Sequence, residues 1–99
     1  MLSCVSFELE LEWDDAKAAA NLAKHGVAFE FAIEVFGDPS RLDVDASRTT
    51  DGETRRKAVG LIRGKLYTVV YTSRGSVRRI ISARRSNRSE SNTYRAISV

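Results

Sequence analysis

The amino-acid sequence predicts an α+β fold, with an N-terminal strand and two helices packed on an antiparallel sheet and a short C-terminal helix. Three observations predict it. Residues 7–13 alternate apolar and acidic, which is the period of a half-buried strand. Two helix patterns with start and stop signals follow over residues 14–37. After Pro39 the period switches to two and stays there to about residue 83. Helices grouped ahead of a strand meander place the helices on one sheet face. The 99 residues show no repeat or linker and are read as one domain, 1–99.

In the first strand Phe7, Leu9, Leu11 and Trp13 face inward, and Glu8, Glu10 and Glu12 face out. That acidic edge is suited to a basic neighbour. Asp14 is the N-cap of a helix over Asp15 to His25, and Gly26 stops it with Lys24 and His25 in the last turn. A second helix carries Phe29, Ala32, Ile33 and Phe36 on one apolar face and ends at Gly37. Arg41 to Asp45 is a short strand, and Ser47 to Glu53 is a loop containing Asp51-Gly52. Arg55 to Arg63 is a strand, Gly64-Lys65 a tight hairpin turn, and Leu66 to Thr72 a strand rich in β-branched and aromatic residues. Ser73 to Ser76 turns into a last strand, Val77 to Ala83. Residues 86–95 are polar and read as a short basic helix with little apolar face.

Composition sets limits. The apolar runs are too short for a membrane span. Met1-Leu2-Ser3-Cys4-Val5 lacks the pattern of a secretion signal, and the single cysteine cannot form an internal disulfide, so a cytoplasmic location is expected. One histidine and one cysteine are too few for a zinc cluster, and no cofactor is expected. The net charge of +3 hides an asymmetry: residues 1–52 hold 4 basic and 11 acidic side chains, and residues 53–99 hold 12 basic and 2 acidic. Ten of those 12 are arginine, whose planar fork matches a phosphate bidentately. The pattern points to a polyanion partner, or to pairing of the basic half with the acidic half inside the fold.

In the last strand, strict alternation places Val77, Arg79, Ile81 and Ala83 on one face and Arg78, Ile80, Ser82 and Arg84 on the other. An arginine then stands beside core positions in either assignment, which is costly unless it is paired or lines a cleft. Arg79, Arg84, Arg85 and Arg88 form a ladder of cations into the tail. His25 is a general-base candidate or a cation completing a helix C-terminus, and Lys24 shares the ambiguity. Glu53 is placed to act as a base or to orient Arg55, two residues on. Tyr67 and Tyr71 share a strand face, as core or as base-stacking platforms. This inventory suits phosphodiester transfer in RNA, where the ribose 2′-hydroxyl is the nucleophile and the protein supplies positioning, proton transfer and cations. A module that binds RNA or a partner without cleaving it is the alternative. A DNA-binding regulator is disfavoured, because no helix-turn-helix is present and the helices lie in the acidic half.

Several ordered motifs carry a resemblance. Phe7-Glu8, Glu12-Trp13-Asp14, Asn21 to Glu30, Phe36-Gly37-Asp38-Pro39, Gly52-Glu53-Thr54-Arg55, Gly60 and Arg79 to Arg85, followed by Glu90 and Tyr94, resemble the BrnT family across Phe7 to Tyr94. The resemblance implies a RelE-like fold and a type II toxin that cleaves RNA and blocks translation. It implies a BrnA-like ribbon-helix-helix antitoxin as partner, in a heterotetramer that contacts operator DNA through the antitoxin. The motif positions are Lys24, His25, Glu53, Arg55, Arg79, Ser82, Arg84, Arg85, Glu90 and Tyr94. The expected catalytic group is Arg79 and Arg84 for transition-state charge, Glu53 or His25 for the proton, and Arg55 for the scissile phosphate. Lys24, Arg78, Arg85 and Arg88 are the expected RNA-binding residues.

Overall fold

The structure, a computed structural model, describes residues 10–46 and 55–98, without the side chains of Arg74 and Ser98. Phe7, Glu8 and Leu9 of the expected first strand, the loop at 47–53 and Glu53 itself lie outside the described residues. The elements in chain order are β1 (Glu10–Glu12), α1 (Asp15–His25), α2 (Phe29–Ala32), a 3₁₀ helix (Ile33–Gly37), β2 (Leu42–Asp45), β3 (Arg55–Ile62), β4 (Lys65–Arg74), β5 (Val77–Arg85) and α3 (Arg88–Ser98). They form an α+β arrangement around one five-stranded sheet of order β1-β5-β4-β3-β2. Among the described residues, no helix is long and apolar enough to cross a membrane.

The local signals act as their chemistry requires. The Asp14 carboxylate accepts from the backbone N–H of Ala16 at 2.7 Å and of Lys17 at 3.3 Å, satisfying amides that the first helical turn leaves open. Gly26 takes the left-handed conformation, φ 70°, and its N–H donates to the Leu22 carbonyl, closing α1. At the β3–β4 turn, both Arg63 and Gly64 have positive φ, 52° and 84°. That is the twist a two-residue hairpin favours. The turn therefore sits one residue earlier than the expected Gly64-Lys65, and Lys65 opens β4.

Three expectations are corrected. The sheet is mixed, because β1 runs parallel to β5, with Glu12 opposite Arg79. The meander from β2 to β5 consists of antiparallel neighbours, and β1 adds to the free edge of β5. The second helix is not continuous: it tightens to three residues per turn after Ala32. The tightening turns Val35 inward, fully buried, while Ile33 stays partly exposed. The tail helix runs three residues beyond the expected end, and it docks on the sheet through Tyr94, which packs with Val59 and Leu66.

The core lies between the sheet and the α1, α2 and 3₁₀ helices. Phe29, Ala32, Val35 and Phe36 meet Ala58, Ile62, Val69, Tyr71, Ile80 and Ala83. Trp13 packs edge-on against Phe29, Phe31 against Tyr67, and Phe36 against Tyr71. Tyr67 and Tyr71 are thus core residues. Among the described residues, the helix that packs on the opposite sheet face is α3, at one end. Beyond β1, the edge of β5 is completed by a side chain. The buried Asn21 amide donates to the Ala83 carbonyl at 2.8 Å and accepts from the Ala83 N–H at 3.1 Å. It also donates to the Val27 carbonyl at 2.9 Å, tying the α1–α2 turn to the strand. Asn21→Ala leaves these three backbone groups without that partner. A loss of about 3 kcal/mol is expected in urea denaturation.

Gly60 is required by proximity. A Cβ there would meet Val35 Cγ1 at 2.8 Å and the Val35 carbonyl oxygen at 3.0 Å. Gly60→Ala must push the 3₁₀ helix off β3, and a thermal melt is expected to report a loss of about 2 kcal/mol.

Candidate active site on the open sheet face

A β-bulge decides which arginines share a face. Val70 pairs with Ser82 but Tyr71 pairs with Ile80, so Ile81 is an extra residue in β5. Strict alternation separates Arg79 from Arg84, five positions apart. The bulge reverses the alternation once, between Ile80 and Ser82. Arg79, Ser82 and Arg84 then stand on the side away from the core, while Ile80 and Ala83 are buried within it. The sequence-based assignment of faces is corrected accordingly, and the arginine that does share the core face with Ile80 is Arg78, at the edge of the core.

The register extends this face across the sheet. Arg55, Thr72 and Arg79 lie in one cross-strand row, Lys57, Val70 and Ser82 in the next, and Val59, Thr68 and Arg84 in the third. Arg55 and Arg79 are two strands apart, about 10 Å at the backbone. The row ends on Glu12 of β1, whose carboxylate accepts from Arg79 Nη1 at 2.9 Å. This pair is half exposed, so its strength is modest. The Arg79 side chain stays partly exposed in this contact.

At the other end sits Glu90, 5% exposed. Its carboxylate takes five donors: Arg84 Nη1 and Nη2, each at 2.8 Å, Thr68 Oγ1 at 2.9 Å, the Asn87 N–H at 2.9 Å and Lys57 Nζ at 3.0 Å. Asn87 returns the bond, its side-chain oxygen accepting from the Glu90 N–H at 2.8 Å, so α3 begins with a reciprocal capping box. Burial alone pushes the Glu90 carboxyl up. The donors from Arg84, Asn87, Lys57 and Thr68 outweigh burial and hold it at about 2. The same contact raises the Arg84 guanidinium above its ordinary value. Arg84 is thus a fixed charge with its fork already occupied.

The other candidates are distributed differently. Arg78 is on the core side, its guanidinium 5.1 Å from the Phe36 ring centroid and 5.3 Å from that of Tyr71. Arg85 also lies on that side, stacked 5.5 Å over Tyr67. Both are therefore separated by the sheet from Arg55, Arg79 and Arg84. Arg88 is exposed at the start of α3, Lys24 is exposed in the last turn of α1, and His25 beside it is half-buried. Among the described residues, His25 has no hydrogen bond or ion pair to this arginine group.

Lys57 and Glu90 as the centre of the face were missed as a pair. The signals for them were present: Lys57 follows Arg55 by two on a strand, and Asn87-Arg88-Ser89-Glu90 has capping-box spacing. Behind the sheet, Asp43 accepts from Arg56 Nε at 2.7 Å and from the Tyr71 hydroxyl. Burial, then the Asp43 hydrogen bond and charge, raise the Tyr71 phenol. An apolar groove of about 650 Å³ beside the 3₁₀ helix is lined by Ile33, Phe36 and Leu61, and by none of Arg55, Arg79 and Arg84.

A sheet with one aromatic, helix-covered face and one face bearing Arg55, Lys57, Arg79 and Arg84 defines a small α+β protein with a cationic sheet face. The family model of BrnT, ribonuclease toxins of type II toxin–antitoxin systems, matches residues 13–90, and the chain belongs to that family. Membership makes it a ribonuclease toxin whose system includes a protein antitoxin. A search of the curated proteins finds no match.

Glu90 supplies a pH-dependent test. A carboxyl held below its unfolded value stabilises the fold above about pH 4.5, and that contribution is lost as pH falls toward 2. It amounts to about 3 kcal/mol. Glu90→Gln is expected to lose about that much near neutrality and to flatten the acid limb, as measured by urea denaturation across the range.

Proposed function

We propose that this toxin cleaves RNA on the open sheet face, without a metal, by in-line attack of the ribose 2′-hydroxyl on the adjacent phosphorus. The P–O2′ bond forms as the P–O5′ bond breaks, and negative charge builds on the non-bridging oxygens. The observation that carries the reading is the bulge at Ile81, which gathers Arg79 and Arg84 on the face that already holds Arg55. Cations fixed before the substrate arrives stabilise that charge without reorganising. In this reading Arg55 positions the scissile phosphate and Arg79 meets the developing charge. Arg84, gripped by Glu90, adds a fixed positive field. Glu53 or His25 accepts the 2′ proton. Arg88 extends the track for the RNA strand, while Lys24 on α1 and Arg78 and Arg85 behind the sheet need an RNA that wraps its edge.

The same reading makes residues 1–99 one RelE-like domain in the cytoplasm that blocks translation. Its antitoxin is a ribbon-helix-helix protein that covers the cationic face, in a heterotetramer that reaches operator DNA through the antitoxin. Oppositely charged surfaces meet faster at low salt, so association with the antitoxin is expected to slow as salt rises.

The test is inducible expression in a bacterial host, with growth and RNA integrity followed with and without the neighbouring small gene. The parent chain is expected to arrest growth and degrade RNA, with rescue by the neighbour. Purified protein is expected to cleave RNA equally with and without a chelator. Arg79→Ala and Arg55→Ala are each expected to lower cleavage about 100-fold at unchanged thermal stability. RNA bound but left intact by the parent would instead mark a binding module of the same fold.

A further inference from the structure

Four cations share the open face, and their surroundings divide them. Arg84 presents both terminal nitrogens to Glu90. Arg79 is paired with Glu12. Lys57 stands in the middle row, between the row of Arg55 and Arg79 and the row of Arg84. Its direct neighbours across the strands are Val44 of β2 and Val70 of β4, with Ser82 beyond Val70 in the same row. Its ammonium carries three donors, and Glu90 at 3.0 Å is its one acceptor among the described residues. Its side chain is 29% exposed. A lysine stem is flexible and loses rotamer freedom when it binds an anion. Glu90 removes that cost in advance by holding the ammonium to the sheet. Glu90 also shares its charge with Arg84, so the Lys57, Arg84 and Glu90 group keeps a net positive charge.

We propose that Lys57 is an RNA phosphate-binding residue, with Glu90 as its positioning residue, and that the phosphate it holds neighbours the one met by Arg55 and Arg79. The inference rests on the proposed use of this face for RNA. The two rows lie about 7 Å apart along the strands, two residues of rise. In this proposal the two rows of cations take two consecutive phosphates.

The experiment measures binding of the full-length protein to a 2′-O-methyl oligoribonucleotide, which cannot supply the nucleophile, across a range of salt. Each phosphate contact contributes about 0.7 to the slope of log K against log salt for a single strand. Lys57→Gln is expected to weaken binding about tenfold and to lower the slope by about 0.7, and Lys57→Arg to keep both near the parent values. Arg79→Ala serves as the reference for the face itself. If Arg79→Ala lowers affinity and Lys57→Gln leaves both quantities unchanged, the assignment of Lys57 is overturned and the proposed face stands. If neither variant changes binding, the face falls and Lys57 with it. If Lys57→Arg loses the slope as Lys57→Gln does, the effect is one of packing on Glu90, and the phosphate contact is overturned. Acylation of the parent protein gives a readout that needs no variant. Lys57 is expected to be protected when RNA binds while Lys17 is not, and full modification of Lys57 in the RNA-bound protein overturns the proposal.

Discussion

The buried carboxylate of Glu90 is the interaction on which the open side of this molecule depends. It joins β3 through Lys57, β4 through Thr68, β5 through Arg84 and the start of α3 through the Asn87 amide. A helix as polar as α3 has little apolar surface with which to dock, since Tyr94 is its one buried apolar side chain among the described residues. What fixes it is a charge whose every strong donor comes from the sheet or the cap. A buried carboxylate left with fewer partners would be costly, so the arrangement is close to all or none. Tyr94 adds a second tether, its hydroxyl donating to the Asp38 carboxylate at 2.6 Å. Asp38 also accepts from the Leu61 N–H, which links the helix to β3.

That docking divides the sheet. The end containing Val59 and Leu66 is covered by α3, and in the row of Arg55, Thr72 and Arg79 the threonine is buried while the two arginines are partly exposed. The other face has no such division, because α1, α2 and the 3₁₀ helix cover it with Phe29, Val35 and Phe36. The charge asymmetry of the chain is resolved in both of the ways its sequence allows. Acidic residues of the first half neutralise part of the second, as in Glu12 with Arg79 and Asp43 with Arg56. The surplus is shared between the two sides of the sheet, with Arg55, Lys57, Arg79 and Arg84 on one and Arg78 and Arg85 on the other. Arginines behind the sheet take another role: Arg78 spreads over Phe36 and Tyr71 and closes the edge of the core.

Much of this was legible in the sequence. The caps of α1, the meander, the helices on one face, the α+β class and the concentration of arginine after residue 53 all follow from signals within a few residues of one another. Asp14 caps because its carboxylate reaches amides two and three positions on, and Gly26 stops the helix because a left-handed φ costs it nothing. The ordered motifs also sufficed to show the resemblance to the family that the chain belongs to. The membership of Arg79 and Arg84 in one face was not legible. A bulge is a relation between two strands, set by how Tyr71 and Ile80 meet in the core, and a period of two within β5 carries no trace of it.

The sequence by itself determined the elements, their order and the supply of cations, because hydrogen-bond caps, turn dihedrals and hydrophobic periods are local. Only the tertiary structure decided which cations stand together, that β1 runs parallel to β5, and that Lys57 and Arg84 meet on Glu90. Those outcomes depend on contacts between residues as far apart as Glu12 and Arg79, whose free energies are set by packing and burial that no local window contains.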